Sequence, residues 1–224
     1  MSVESSLQIN INKMVVAFRT NVRSRPYYTV NGKEYERFFA LIHSRSETGK
    51  MLNSVYDSLE KEKRLLEDVR LVDLDGNRVF YIPSTPFYTE RTRKSGRTLR
   101  VSIPAEVGRH IVDKEAFIYG YVGEGDGSIK RIDGKSYEAV VVYDSEILKT
   151  SSVIATVPVR YSNVIPIGRE VEVDIISVDI IKTVRAITYK NGSYRGLPLV
   201  SMRFNRDEVE EFLDKSVTLV VKVI

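Results

Sequence analysis

Runs rich in β-branched and aromatic residues recur along this chain, separated by short polar breaks. Four of those breaks contain Asn31-Gly32, Asp75-Gly76, Asp133-Gly134 or Asn191-Gly192. Such pairs accept the positive φ angles of tight turns, so each predicts a β-hairpin. The clearest is Val69–Leu74 returning as Arg78–Ile82, followed by Ile129–Ile132 returning as Ser136–Tyr143. The chain reads as mostly β.

Two stretches depart from that pattern. Between Glu47 and Asp68, apolar Leu52, Val55, Leu59 and Leu66 recur at intervals of three, four and seven residues, which predicts a helix with one buried face. Glu60 and Arg64 would pair on its exposed side, and the apolar stripe would pack on the chain's own sheet. A shorter helix is expected over Asn205–Leu213, where acidic residues follow Asn205 as they do at helix N-termini. Pro83-Ser84-Thr85-Pro86 is expected to interrupt a strand ladder. It divides an α/β region, residues 1–85, from a β-rich region, residues 86–224.

The β-rich region repeats itself. Thr98–Val122 aligns without gaps on Ser152–Ile176, placing Val101-Ser102-Ile103-Pro104 on Ala155-Thr156-Val157-Pro158. A weaker third copy runs from Leu199 through Asp214-Lys215 to Val223, without a Pro at the matching place. The repeat regions are thus about 98–123, 152–177 and 198–224. In the first copy a polar turn at Gly96 leads into a strand ended by Pro104. A helical turn (Glu106 to Ile111) and the charged corner Asp113-Lys114-Glu115 then lead to a second strand, Ala116 to Val122.

That order, with Arg and Lys crowding the entry loop, resembles the swapped-hairpin DNA-binding unit of AbrB and MazE regulators over about residues 90–123. The resemblance implies an α+β, mostly β fold, in which an N-terminal α/β region precedes tandem swapped-hairpin β-barrel units. Family members usually obtain the second copy of the unit by forming a homodimer; here the tandem copy would supply it within one chain. The family's DNA contacts, carried over by motif, fall on Arg93, Lys94, Arg97 and Arg100, with Arg91 beside them and Arg109 on the helical turn. Arg suits this role because its planar fork grips a phosphate or a guanine edge at two points. The second copy, Lys149-Thr150-Ser151-Ser152-Val153-Ile154, is nearly stripped of such residues.

Composition narrows the chemistry. The 224 residues carry a net charge of +4, unevenly spread. Lys13, Arg19, Arg23, Arg25 and Lys33 occur between Ser5 and Lys33 without one acidic residue, and Arg23-Ser24-Arg25-Pro26-Tyr27-Tyr28 interleaves cations with aromatics. Single-strand nucleic-acid platforms share that mixture, although an ordinary hairpin strand with exposed Tyr has it too; Arg23 and Arg25 are the candidates for a second phosphate contact. Cysteine is absent, which excludes thiol nucleophiles and zinc ribbons, and His43 and His110 lie far apart, which disfavours a His-based metal site or a Ser/His/Asp triad. Asp73-Leu74-Asp75-Gly76-Asn77 lacks the distal Glu of a calcium loop, and Gly123–Ser128 carries two carboxylates that would repel phosphate. No cofactor is expected.

No run approaches the roughly 20 apolar residues of a membrane span, and residues 1–12 lack a signal peptide's zones. The expectation is a cytoplasmic, thermophile-like protein without a membrane partner, not an enzyme, that binds double-stranded DNA and regulates transcription. The alternative is a structural or adaptor protein whose barrels bind another protein.

Overall fold

The computed structural model describes residues 14–28, 31–32, 34–59, 64–92, 96–123, 132–159, 164–194 and 197–224, with the backbone alone at 28, 91, 92, 96, 97, 159, 194, 197 and 198. Among the described residues, fourteen strands form two seven-stranded antiparallel sheets. The first comprises β1 (Met14–Tyr28), β2 (Glu34–Ile42), β3 (Leu65–Asp73), β4 (Arg78–Thr92), β5 (Gly96–Ile103), β6 (Glu115–Gly123) and β7 (Asp133–Ser136). The order β3-β6-β1-β2-β5-β4, closed by β3–β4 pairing, makes a six-stranded barrel, with β7 added outside the ring along β4. The mostly β expectation stands.

The ring is built from two equivalent halves. β1 and β2 form a hairpin followed by α1 (Glu47–Tyr56) and β3; β4 and β5 form a hairpin followed by α2 (Ala105–Ile111) and β6. Exchanging each strand with the one three places on reproduces the same ring. The barrel therefore closes on the N-terminal strands. The tandem copy around 152–177 lies in the other sheet and does not complete it.

Local chemistry accounts for the elements. Ser46 caps α1 by accepting a hydrogen bond from the Gly49 amide at 3.1 Å, and Leu52, Val55 and Tyr56 face the barrel core. The helix stops at Tyr56, well short of Asp68. Leu59 and Leu66 are still buried, but from a turn and from β3, because their spacing suits either period. Pro104 ends β5 and precedes α2, whose Gly108 lies so close to Phe38 that a Cβ there would sit 2.1 Å from the ring.

Two expectations about breaks are corrected. Pro83 and Pro86 lie inside β4, where the strand leaves β3 for β5, and Pro86 still sits opposite Leu65; the four residues precede a change of partner and do not interrupt the ladder. Asp133-Gly134 belongs to β7, with Gly134 against the Phe80 ring, and Asn191-Gly192 forms a bulge inside a strand, with Gly192 at φ 93°. Of the returning hairpin expected around Asp133, residues 129–131 lie outside the described residues. Asn31-Gly32 and Asp75-Gly76 do join hairpins.

The second sheet takes β8 (Ala139–Glu146), β9 (Leu148–Lys149), β10 (Ile154–Val159), β11 (Glu170–Ile176), β12 (Ile181–Tyr194), β13 (Leu197–Asn205) and β14 (Ser216–Val223). Their order, β8-β14-β11-β12-β13-β10-β9, is that of an open half-barrel. The expected C-terminal helix forms as α3 (Arg206–Val209), capped by Asn205, and continues as a 3-10 turn, Glu210–Phe212. All three repeat regions are strand–connection–strand units whose strands are separated in the sheet by two others. The copy weakest in sequence shares a backbone feature with the first. Asp113 and Asp214, each followed by Lys and a strand, both adopt a left-handed conformation, at φ 62° and 57°.

A shared core joins the two sheets, with Val15, Val72, Phe117 and Tyr119 meeting Val140, Ile176 and Val220. Inside it lies a carboxylate with no solvent exposure, Asp174. Asp174 accepts from the Tyr119 hydroxyl, from Thr183 Oγ1 at 2.7 Å and from Lys222 Nζ at 2.8 Å, and Arg70 Nε is 3.7 Å away. Lys222 also pairs with Glu172 at 2.7 Å. Burial, and then Asp174, push the Tyr119 phenol well above its ordinary pKa; burial does the same to Tyr143.

Removing one partner from such a cluster leaves the others buried and unpaired. Asp174→Ala is expected to cost about 3–5 kcal/mol in urea-denaturation stability, and Tyr119→Phe appreciably less. Unfolded tyrosines titrate near 10, whereas these folded phenols hold their protons to higher pH. The stability these phenols contribute is therefore expected to be fully present below about pH 10 and to fall as pH rises towards the folded values, which a base titration followed by tyrosinate absorbance would detect.

Candidate nucleic-acid interface

Alternation along β1, β2, β5 and the second half of β4 sorts their side chains to two sides. Val22, Phe38, Ala40, Ile42, Leu99, Val101, Ile103 and Phe87 fill the barrel. The other side carries Arg23, Arg25 and Tyr27 on β1, Tyr35, Arg37 and Phe39 on β2, Arg100 on β5, and Tyr88 and Glu90 on β4. It is a basic and aromatic face.

Register sets its detail. Arg25 lies directly opposite Arg37, and Tyr27 opposite Tyr35, on the next outward rung of the β1–β2 ribbon. Like charges across a rung repel. Each Arg here has an outlet: the Arg37 guanidinium lies 3.6 Å from the Tyr27 ring centroid, and Arg25 Nη1 lies 3.6 Å from Glu90 Oε1. Glu90 also pairs with Arg100, which lies 4.4 Å from the centroid of Phe39. Arg25 and Glu90 stand on the outermost strands of this four-stranded stretch, so their contact draws its margins together over Phe39. Phe39 is consequently buried although it points away from the barrel core. Arg37, Tyr88 and Ser102 line a depression of about 270 Å³ at one end of the face, together with Glu36, Phe38, Ile103 and Ala105.

The predicted contact residues distribute unevenly over this geometry. Arg23 and Arg25 are exposed on the face, and Arg23 also lines a cleft of about 470 Å³ with Arg19, His43 and Glu115. Arg100 belongs to the face, but its side chain is only 17 % exposed and is committed to Glu90 and Phe39. Arg91 and Arg97 are a directly opposed pair at the end of the β4–β5 ribbon, seen as backbone only. Arg93 and Lys94 lie outside the described residues. Arg109 is exposed on α2, beyond Ile103, the end of β5 remote from Arg97 by about 20 Å of strand. The structure thus adds Arg37, Tyr35, Tyr88 and Glu90. Folding the sequence about Asn31 would have placed Arg37 opposite Arg25.

Among the described residues, no group of three or more His, Asp or Glu side chains is placed to hold a metal, and no helix is long and apolar enough to cross a membrane. His110 stacks on Phe80, with ring centroids 6.3 Å apart. Comparison with known proteins finds no matching family model, curated protein or solved structure.

The geometry separates supporting cations from surface ones. Arg100→Ala is expected to lower stability by about 1–3 kcal/mol, since Glu90 and Phe39 lose their partner. Arg23→Ala is expected to stay within about 0.5 kcal/mol of wild type. Paired urea melts would distinguish the two.

Proposed function

We propose that this chain is a DNA-binding protein, gripping phosphates with the Arg face of β1–β2–β5–β4. The observation that carries this reading is the register of the β1–β2 ribbon, which sets Arg25 directly opposite Arg37 on the face that also carries Arg23 and Arg100. A phosphate placed between two such guanidinium groups relieves the repulsion that the rung otherwise bears. Glu90, paired with both Arg25 and Arg100, holds the site in shape and competes with an incoming anion for Arg25.

Arg93 and Lys94, two and three residues after Arg91 in sequence, add to the cations of this region. The resemblance to AbrB and MazE regulators points the same way, with occupancy of DNA as the means of regulation. The rival reading, an adaptor, draws on exposed Val178 and Ile180 between β11 and β12; a partner of that kind would bind in a salt-tolerant manner.

A fluorescence-anisotropy titration with a DNA duplex carrying a single-stranded tail tests the proposal without presupposing the form of DNA. Affinity is expected to fall steeply with salt. Arg25→Ala and Arg37→Ala should each lower the slope of log affinity against log salt by about 1. Glu90→Gln, provided the variant remains folded, should tighten binding. Absence of wild-type binding at low salt would refute the reading.

A further inference from the structure

We infer that the β1–β2 end of this face binds single-stranded DNA in preference to duplex, with bases stacked on Tyr27 and Tyr35 and phosphates held by Arg23, Arg25 and Arg37. The inference rests on the DNA-binding reading and specifies the form of DNA taken.

Three observations converge on it. First, Tyr27 and Tyr35 form one rung, 42 % and 48 % exposed, on the side of the ribbon that carries the three cations. Glu34 and Glu36 alternate to the other side of β2, so the cations of the ribbon gather on the Tyr side, where Glu90 of β4 is the carboxylate paired with Arg25. Second, the Arg37 guanidinium lies 3.6 Å from the Tyr27 ring centroid, so a cation already stands against a partly exposed aromatic ring. Third, the Arg25–Glu90 pair bridges the margins of the face and covers its floor at Phe39. What remains open is a track along the ribbon rather than a broad surface. Bases in a duplex are stacked on one another and offer a protein only their edges, so exposed ring faces gain nothing there. An unpaired strand presents ring faces and phosphates together. Because every base has a π-face, this recognition is tolerant of sequence.

The test uses the full chain and two labelled probes of equal length, oligo(dT) and a mixed-sequence duplex, in anisotropy titrations at the same salt. Oligo(dT) is expected to bind more tightly. Tyr27→Ala and Tyr35→Ala should each weaken oligo(dT) binding by roughly 5- to 100-fold, with little effect on duplex binding. Tyr27→Phe and Tyr35→Phe keep the ring and should remain within about twofold of wild type. Retained circular-dichroism melting midpoints would show that the Ala variants fold, and the Phe variants give a second reading independent of that control. Duplex bound as tightly as oligo(dT), or oligo(dT) binding indifferent to loss of both rings, overturns this inference and leaves the DNA-binding reading in place. Binding of neither probe at low salt overturns both.

Discussion

Asp174 has no route to solvent, and the way its charge is met ties the two sheets into one body. A buried carboxylate is tolerated only when donors surround it, and here they arrive from both units: Thr183 and Lys222 from the half-barrel, Tyr119 and Arg70 from the barrel. An apolar contact between two sheets can slide by an ångström with little loss. A carboxylate held by a phenol, a hydroxyl and an ammonium cannot. The cluster therefore sets how β6 and β3 of one unit lie on β11 and β14 of the other, and the apolar side chains around it fill the remaining space.

Fixing the barrel in this way frees its opposite side for other work. The strands that meet the half-barrel are β1 and β4 in their first parts, β3 and β6; the strands that carry the Arg face are β1 and β4 in their second parts, β2 and β5. β1 changes neighbours near Asn21–Val22, and β4 does so near Pro86–Phe87. Each long strand serves the structural side with one end and the charged side with the other. The Pro-containing segment of β4 lies where the strand changes partner, a place that tolerates a missing ladder hydrogen bond.

What could be read from sequence was what depends on near neighbours. The turns at Asn31-Gly32 and Asp75-Gly76, the helix start at Asn205, and the strand–helix–strand order around Pro104 are set by a few consecutive residues. Asp133-Gly134 and Asn191-Gly192 carry the same local signal but serve another need, close approach to Phe80 in one case and a bulge in the other. Helical spacing from Leu52 to Leu66 misled because Leu59 and Leu66 are buried from different elements. Ring closure by the N-terminal strands, the Asp174 cluster and the capture of Arg100 by Glu90 and Phe39 all depend on contacts between distant segments. Arg37 was the nearest miss, since its relation to Arg25 needs only the first hairpin and a register.

The exchange of strands that maps one half of the ring onto the other acts on the backbone alone. One ribbon carries Tyr27 and Tyr35 beside its Arg pair; the other carries Glu90 immediately before Arg91. A symmetric scaffold has thus been given unlike ends. Were a linear polymer to lie across both ribbons, its two directions of entry would not be equivalent.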